Sequence, residues 1–242
     1  MGNLKSSILL LILFLSLTHL HAQNHTNSWM RATLSIPVKE HFSIDTEIQH
    51  RRQNGFNNDN LFDKNLVFSY RNWVHYQHQP GVKFSISPFA YYSNYKMIIS
   101  QADADANPSS EIRFSGAMEL KHQLGRKLDV SGRSALEYRI FDGNQNDILR
   151  FRNKLGLLYS INESWKLNAF MEILVNLSGT EMAHFLDHNR YGANVEYHPI
   201  KNIKIELGYM YISRLPKINI QTIGENTLFL NVAYQFKKPE KH

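Results

Sequence analysis

"LRFRNKLGLLY", residues 149–159, carries Arg150, Arg152 and Lys154 at every second position, with Leu149, Phe151, Leu155, Leu157 and Tyr159 at the positions between and beyond them. An amphipathic helix would repeat its apolar residues every three or four positions, whereas a strand turns successive side chains to opposite faces. The period of two therefore describes a strand with a basic face and an apolar face, interrupted on the apolar side only by Asn153. A nucleic-acid patch would leave such cations unmatched. Here the neighbouring segments supply acids, Glu137 and Glu172 among them.

The same alternation runs through nearly the whole chain. In "HFSIDTEIQHR", Phe42, Ile44, Thr46 and Ile48 share one face and Ser43, Asp45, Glu47, Gln49 and Arg51 the other. Further strands are predicted over 65–76, 81–95, 111–123, 127–141, 148–161, 164–178, 189–198, 202–213 and 226–236, with a weaker candidate at 29–37. Most reach the roughly 9–11 residues that a tilted strand needs to cross a bilayer, more than the usual ~5–6 of soluble sheets. The connections alternate as well. Those at 37–41, 77–81, 123–127, 161–164 and 198–202 are short, those at 52–63, 97–110, 178–189 and 213–226 longer and more polar, and 142–147 intermediate. Short turns at one end and long loops at the other describe an outer-membrane barrel, and unpaired backbone cannot face lipid, so the sheet must close. The expected fold is all-β, an antiparallel transmembrane up-and-down β-barrel of ten to twelve strands.

Residues 1–22 read as a secretory signal peptide, with Lys5, an apolar run from Ile8 to Leu17 and a cleavage point after Ala22. Residues 23–39 form an N-terminal segment holding the candidate first strand, 40–236 the barrel, and 237–242 a polar tail. Counting back from a descending last strand makes 29–37 descend too. Ten strands from 40 to 236 satisfy the even count usual for such barrels, which leaves 23–37 as a luminal, periplasmic or extra pairing segment. Cysteine is absent, so disulfides and thiolate metal sites are excluded. A net charge of +6, or +5 without Lys5, is too dispersed for nucleic-acid binding. No cofactor or metal is expected.

Placing the apolar face outward assigns Leu128, Val130, Leu136, Tyr138, Ile140, Leu167, Ala169, Met171, Ile173 and Val175 to lipid. The lumen then receives Glu119, Lys121, Asp129, Arg133, Glu137, Arg139, Arg150, Arg152, Lys154, Lys166, Glu172, Arg190, Glu196, Lys204 and Glu206. Hairpins centred on 144–145, Glu163, Gly125 and Ile200 would set Glu137 against Arg152, Lys154 against Glu172, Lys121 against Asp129 and Glu196 against Lys204. Phe42, Trp165, Tyr209, Tyr211, Tyr234 and Phe236 fall near strand ends, as girdle aromatics at the two membrane interfaces do.

The "AQ" ending of the leader, "SWMRATLSIPVKEHFSIDTEIQHR", "LEYRIFDGNQNDILRFRNKLGLLYSI", "LDHNRYGANVEYHP" and the aromatic-terminated "TLFLNVAYQF" together resemble the domain-of-unknown-function family 2490 of bacterial outer-membrane barrels, frequent in Bacteroidetes. The resemblance covers nearly the whole mature chain. It implies the barrel fold, the cell outer membrane of a Gram-negative cell, lipids as surroundings and the barrel-assembly machinery as a biogenesis partner. It implies no activity and no functional residue.

Three functions remain open on the sequence. One is a structural or narrow-pore barrel with a charged lumen. Another is an outer-membrane lipid hydrolase, whose Ser–His chemistry would draw on Ser178, His184, Asp187 and His188 in "SGTEMAHFLDHNR". The third is a soluble periplasmic β-barrel binding protein, which would invert the assigned faces. His75 and His78 are weak metal-ligand candidates.

Overall fold

The computed structural model describes residues 24–143, 145–215 and 222–237. The signal-peptide assignment at 1–22 and most of the 237–242 tail lie outside the described residues.

Among the described residues, eleven strands make one closed barrel: β1 (Asn24–Pro37), β2 (Phe42–Gln53), β3 (Lys64–Gln79), β4 (Val82–Asn94), β5 (Ser109–Gln123), β6 (Leu128–Phe141), β7 (Ile148–Ser160), β8 (Trp165–Ser178), β9 (Leu186–Ile200), β10 (Ile203–Arg214) and β11 (Ile223–Gln235). Every consecutive pair is antiparallel, and β1 closes the circle by pairing parallel with β11 from Asn24↔Gly224 to Ser35↔Gln235. An odd number of alternating strands cannot close without one parallel pair. Strand β1 and strand β11 both run toward the short-turn end, so the descent inferred for 29–37 is real and the even count is not. The barrel wall accordingly begins at Asn24 rather than at residue 40, and β1 hydrogen-bonds to β2 on its other side.

Local chemistry explains the turns and irregularities. The β3–β4 hairpin turns through Pro80 and Gly81, with Gly81 at φ +82°, the Pro-Gly pairing of a type II turn. A Cβ on Gly81 would stand 2.4 Å from the Lys121 carbonyl oxygen, so the position is closed to other residues. Pro88 has no N–H for the ladder, and it sits in the irregularity between Ser87 and Ala90 of β4.

The outward faces are apolar. Leu136, Tyr138, Leu155, Leu157, Leu167, Met171, Ile173, Leu207, Leu228 and Leu230 are all exposed on the outer wall. Asn153, the misfit of the opening stretch, stands opposite Ser134 on the same outer face and donates to its Oγ at 2.8 Å, so its amide has a partner there. Two small apolar clusters lie inside the wall, Trp29 with Met210, Ile212 and Phe229, and Leu66 with Val67, Ala90 and Tyr92. The first packs behind the seam, where Gly208 leaves room for the Phe229 ring.

Candidate functional site

The interior-facing positions of β3 and β5–β9 carry one continuous ionic network. Glu137 is its hub. Its carboxylate meets Arg150 Nη2 at 2.5 Å, Arg152 Nη1 at 3.2 Å, Arg71 Nη2 at 3.5 Å and Arg113 Nη1 at 4.0 Å. Glu111 joins Arg113 to Arg139 (Nε to Oε1, 2.7 Å), and Glu172 joins Arg152 (2.5 Å) to Arg190 (2.9 Å). Arg150 extends the chain to Asp187 at 2.8 Å, and Asp187 Oδ2 lies 3.2 Å from His188 Nδ1. Four carboxylates thus serve six guanidinium groups. Glu111, Glu137, Arg71, Arg150, Glu172 and Arg190 are all buried, so each ion depends on its partners to offset lost hydration.

Nearer the short turns the pairs are separate and wetter. Lys83 meets Glu119 at 3.2 Å, Lys121 meets Asp129 at 2.9 Å, Lys166 meets Glu196 at 3.0 Å, Lys204 meets Glu206 at 2.9 Å and His75 meets Asp45 at 3.1 Å. Between a third and a half of the Lys83, Glu119 and Lys121 side chains is open to solvent.

The expected registers hold in one hairpin of four. Lys154 and Glu172 are direct partners. Even there the Lys154 Nζ lies over the Phe170 ring at 3.9 Å, so a cation–π contact takes the place of the expected close ion pair. The β6–β7 hairpin is centred one residue earlier than expected. Glu137 therefore faces Arg150 directly and reaches Arg152 on the diagonal. Lys121 and Asp129 are likewise diagonal neighbours, with Lys121 opposite Ser131. A register shift between Ile203 and Ile205 sets Glu196 against Glu206, and Glu196 takes Lys166 and His198 while Lys204 takes Glu206. Arg133 packs over Trp73 at 4.9 Å. Diagonal contacts of long side chains absorb a register slip of two residues, which is why opposite charges still meet.

Arg71, Glu111, Arg113, Arg214 and Glu225 join the inner wall beyond the residues expected there, although each alternates with inward neighbours. Glu111 and Glu225 lie close to the start of their strands, where a sequence gives no sign of whether the ladder has begun. Arg214 Nε meets Glu225 Oε1 at 2.5 Å.

A cavity of about 520 Å³ occupies the lumen. Tyr95, Met97, Ser109, Phe141, Gln145 and Leu215 form its rim at the long-loop end, and Arg31, Glu47, Lys204, Glu206 and Asn231 mark its deeper wall. Eleven cationic side chains line it (Arg31, Arg51, Arg71, Arg113, Arg139, Arg150, Arg152, Lys154, Arg190, Lys204, Arg214) against five carboxylates (Glu47, Glu172, Asp187, Glu206, Glu225). Glu111 and Glu137, just behind the lining, neutralise part of this charge, and the balance stays positive, eleven cations against seven carboxylates.

The hydrolase candidates are not assembled. Ser178 ends β8 in an exposed position, His184 belongs to a short 3-10 turn at Met182–His184, and Asp187 and His188 open β9, with Asp187 committed to Arg150. Among the described residues no hydrogen bond joins Ser178 to either histidine. His75 is held between Asp45 and Ser85, whose Oγ lies 2.7 Å from its Nδ1.

The aromatics cluster by end. Phe42 packs on Tyr76 (5.0 Å between ring centroids), Trp165 stacks on Tyr197 (4.3 Å) and Tyr234 meets Phe236 edge-on (5.0 Å), all toward the short turns. Tyr209 and Tyr211 lie toward the loops, where Tyr209 Oη donates to Asn226 Oδ1 at 2.5 Å and the Tyr211 ring covers Gly224.

A family model described as a protein of unknown function, DUF2490, matches residues 26–222, and the chain belongs to that family. No curated relative matches it. Among solved structures, a NanC porin in a rhombohedral crystal form is similar at 10% identity with a TM-score of 0.54, over 87% of this chain and 98% of that one. A KdgM porin in complex with disordered oligogalacturonate aligns at 12% identity and a TM-score of 0.43, over 75% and 82% of the two chains. A second KdgM porin structure gives 12% and 0.40, over 74% and 81%. At these identities the likeness to the NanC porin is one of fold.

Proposed function

We propose that this protein is an outer-membrane β-barrel whose narrow lumen, crossed by an arginine-rich belt, admits small anions in preference to cations. The observation that carries the reading is the cavity wall, eleven lining cations against seven carboxylates once Glu111 and Glu137 behind the lining are included, in a space that low-dielectric walls surround. Rings of Arg and Lys are the usual selectivity device of anion pores. The apolar outer wall supports a bilayer setting, because an exposed apolar surface of this extent has no place in water. The aromatic pairs near the short turns and Tyr209 and Tyr211 near the loops form the two interfacial girdles, with membrane lipids as the surrounding partners. Biogenesis by the barrel-assembly machinery fits the aromatic-ended last strand.

The buried Glu111–Glu137–Glu172 network favours a second reading, a plugged structural barrel. Planar-bilayer recording separates the two. In a potassium chloride gradient the reversal potential is expected on the chloride side. A reversal on the potassium side would overturn anion preference, and a silent bilayer with verified insertion would favour the plug.

A further inference from the structure

Among the described residues, six buried nitrogen atoms of Trp29 and the arginines on the cavity wall make no hydrogen bond: Trp29 Nε1, Arg31 Nε, Arg51 Nε, Arg71 Nε, Arg71 Nη2 and Arg190 Nε; the two ring nitrogens of His188 on the same wall are also without one. Folded proteins satisfy nearly all such donors, so a cluster of them in one cavity calls for an acceptor. The protein's own acids are engaged elsewhere. Glu137 is shared by four arginines, and it stands 3.5 Å from Arg71 Nη2, at ion-pair range without a hydrogen bond. Glu172 is divided between Arg152 and Arg190. Arg51 has no carboxylate within ion-pair distance among the described residues. It donates through Nη2 to Gln49 Oε1 at 2.9 Å and stacks on Trp29, its partner across β1 and β2, with Cζ 3.6 Å from the ring centroid. Arg190 approaches the same indole at 5.1 Å, so two guanidinium groups and one indole N–H meet at Trp29.

We propose that Trp29, Arg51, Arg71 and Arg190 form a binding site for a small oxyanion, a carboxylate or a phosphate. The chemistry of the donors selects this class. Nε and one Nη make the edge of a guanidinium that grips two oxygens at once, and Arg71 has both of those atoms free of hydrogen bonds. The indole N–H supplies a neutral donor that adds direction without further charge. Water can accept from each N–H singly but cannot offset clustered positive charge, and chloride offers one centre where two or three oxygens are called for. The inference deepens the anion reading of the lumen and rests on it for the route of entry alone.

Isothermal titration calorimetry on the full folded chain in detergent, at constant chloride, tests it with inorganic phosphate and acetate as probes. Saturable binding is expected for at least one, weakened about tenfold or more by Arg51→Gln and by Arg190→Gln. Arg126→Gln, in the exposed β5–β6 turn, should bind as the parent does. Trp29→Phe removes the indole N–H and keeps an aromatic ring. It should weaken binding several-fold, which gives a second route if an arginine variant fails to show the heat-modifiable migration of a folded barrel. Saturation by phosphate, by acetate or by both supports the site and tells which oxyanion it takes. No saturable heat with either probe, or unchanged affinity in the folded arginine and Trp29 variants, would overturn it. Saturable binding without anion current would keep the site and remove the passage, whereas anion current without saturable binding would do the reverse.

Discussion

Asn27 on β1 and Glu225 on β11, 198 residues apart in sequence, are hydrogen-bonded across the parallel seam, Asn27 Nδ2 donating to Glu225 Oε2 at 2.9 Å. Thr227 Oγ1 donates to Asn27 Oδ1 at 2.5 Å, and Glu225 also accepts from Arg214 of β10, so the closure is tied by side chains from three strands. All three seam residues are fully buried.

Removing Glu225 should loosen that closure. Glu225→Ala leaves the partly buried Arg214 without its acid and the buried Asn27 without its acceptor, a loss of about 3 kcal/mol, the low end for a broken buried pair. Urea unfolding followed by gel mobility should show a lower midpoint, and Asn27→Ala should cost less, about 1–3 kcal/mol. Equal midpoints for both variants and the parent would show that the backbone ladder closes the barrel unaided.

Glu137 balances four arginines, so Glu137→Gln should both destabilise the barrel, by about 3–5 kcal/mol, and raise the positive charge of the lumen. The midpoint of unfolding is expected to fall, and the reversal potential of the folded variant to move further toward chloride. A shift toward potassium would contradict the role given to the belt.

Leu155 lies mid-strand on the outer face of β7, half exposed. In lipid vesicles Leu155→Arg should cost about 2–4 kcal/mol of folding free energy, the figure for a basic residue near the bilayer midplane. If the wall faced water instead, the substitution would be nearly neutral, and equilibrium refolding distinguishes the two.

The loop between β4 and β5 carries a pH-dependent clasp. Lys96 bonds Asp103, and Asp103 Oδ2 accepts from Ser100 N (2.8 Å), Ser100 Oγ (2.7 Å) and Ile99 N (3.2 Å). The Lys96 contact first, and these donors after it, hold the carboxyl below its ordinary value. A depressed folded value means that the clasp is fully present above the unfolded carboxylate value of about 4 and fades as pH falls toward the folded one. Protease cleavage within 97–106 should therefore rise under acid in the parent protein. Asp103→Asn should be cut readily at every pH, and parent-like protection of that variant would argue that the loop is held by something else.

How much of this was legible in the sequence differs by residue. The two faces of Leu149–Tyr159 follow from alternation alone, because a period of two permits only one division of side chains across a sheet. The pairing of Glu137 was half legible. That an inner-wall arginine of β7 would meet it followed from the alternation, but whether Arg150 or Arg152 stands opposite depends on where the 142–147 connection turns. Trp29 and Arg51 gave no sign of meeting, since their encounter needs β1 paired in the wall, and the even-count expectation left 23–37 open as a luminal, periplasmic or extra pairing segment.

What the sequence determined by itself is which side chains share a face and that no stable arrangement exposes the backbone of so many apolar strands, because both follow from local geometry and solvation. Only the tertiary structure decided the count of eleven, the parallel seam and the group of arginines around Trp29. Those depend on which distant strands close the circle, and strand closure is fixed by the fit of the whole barrel rather than by any one segment.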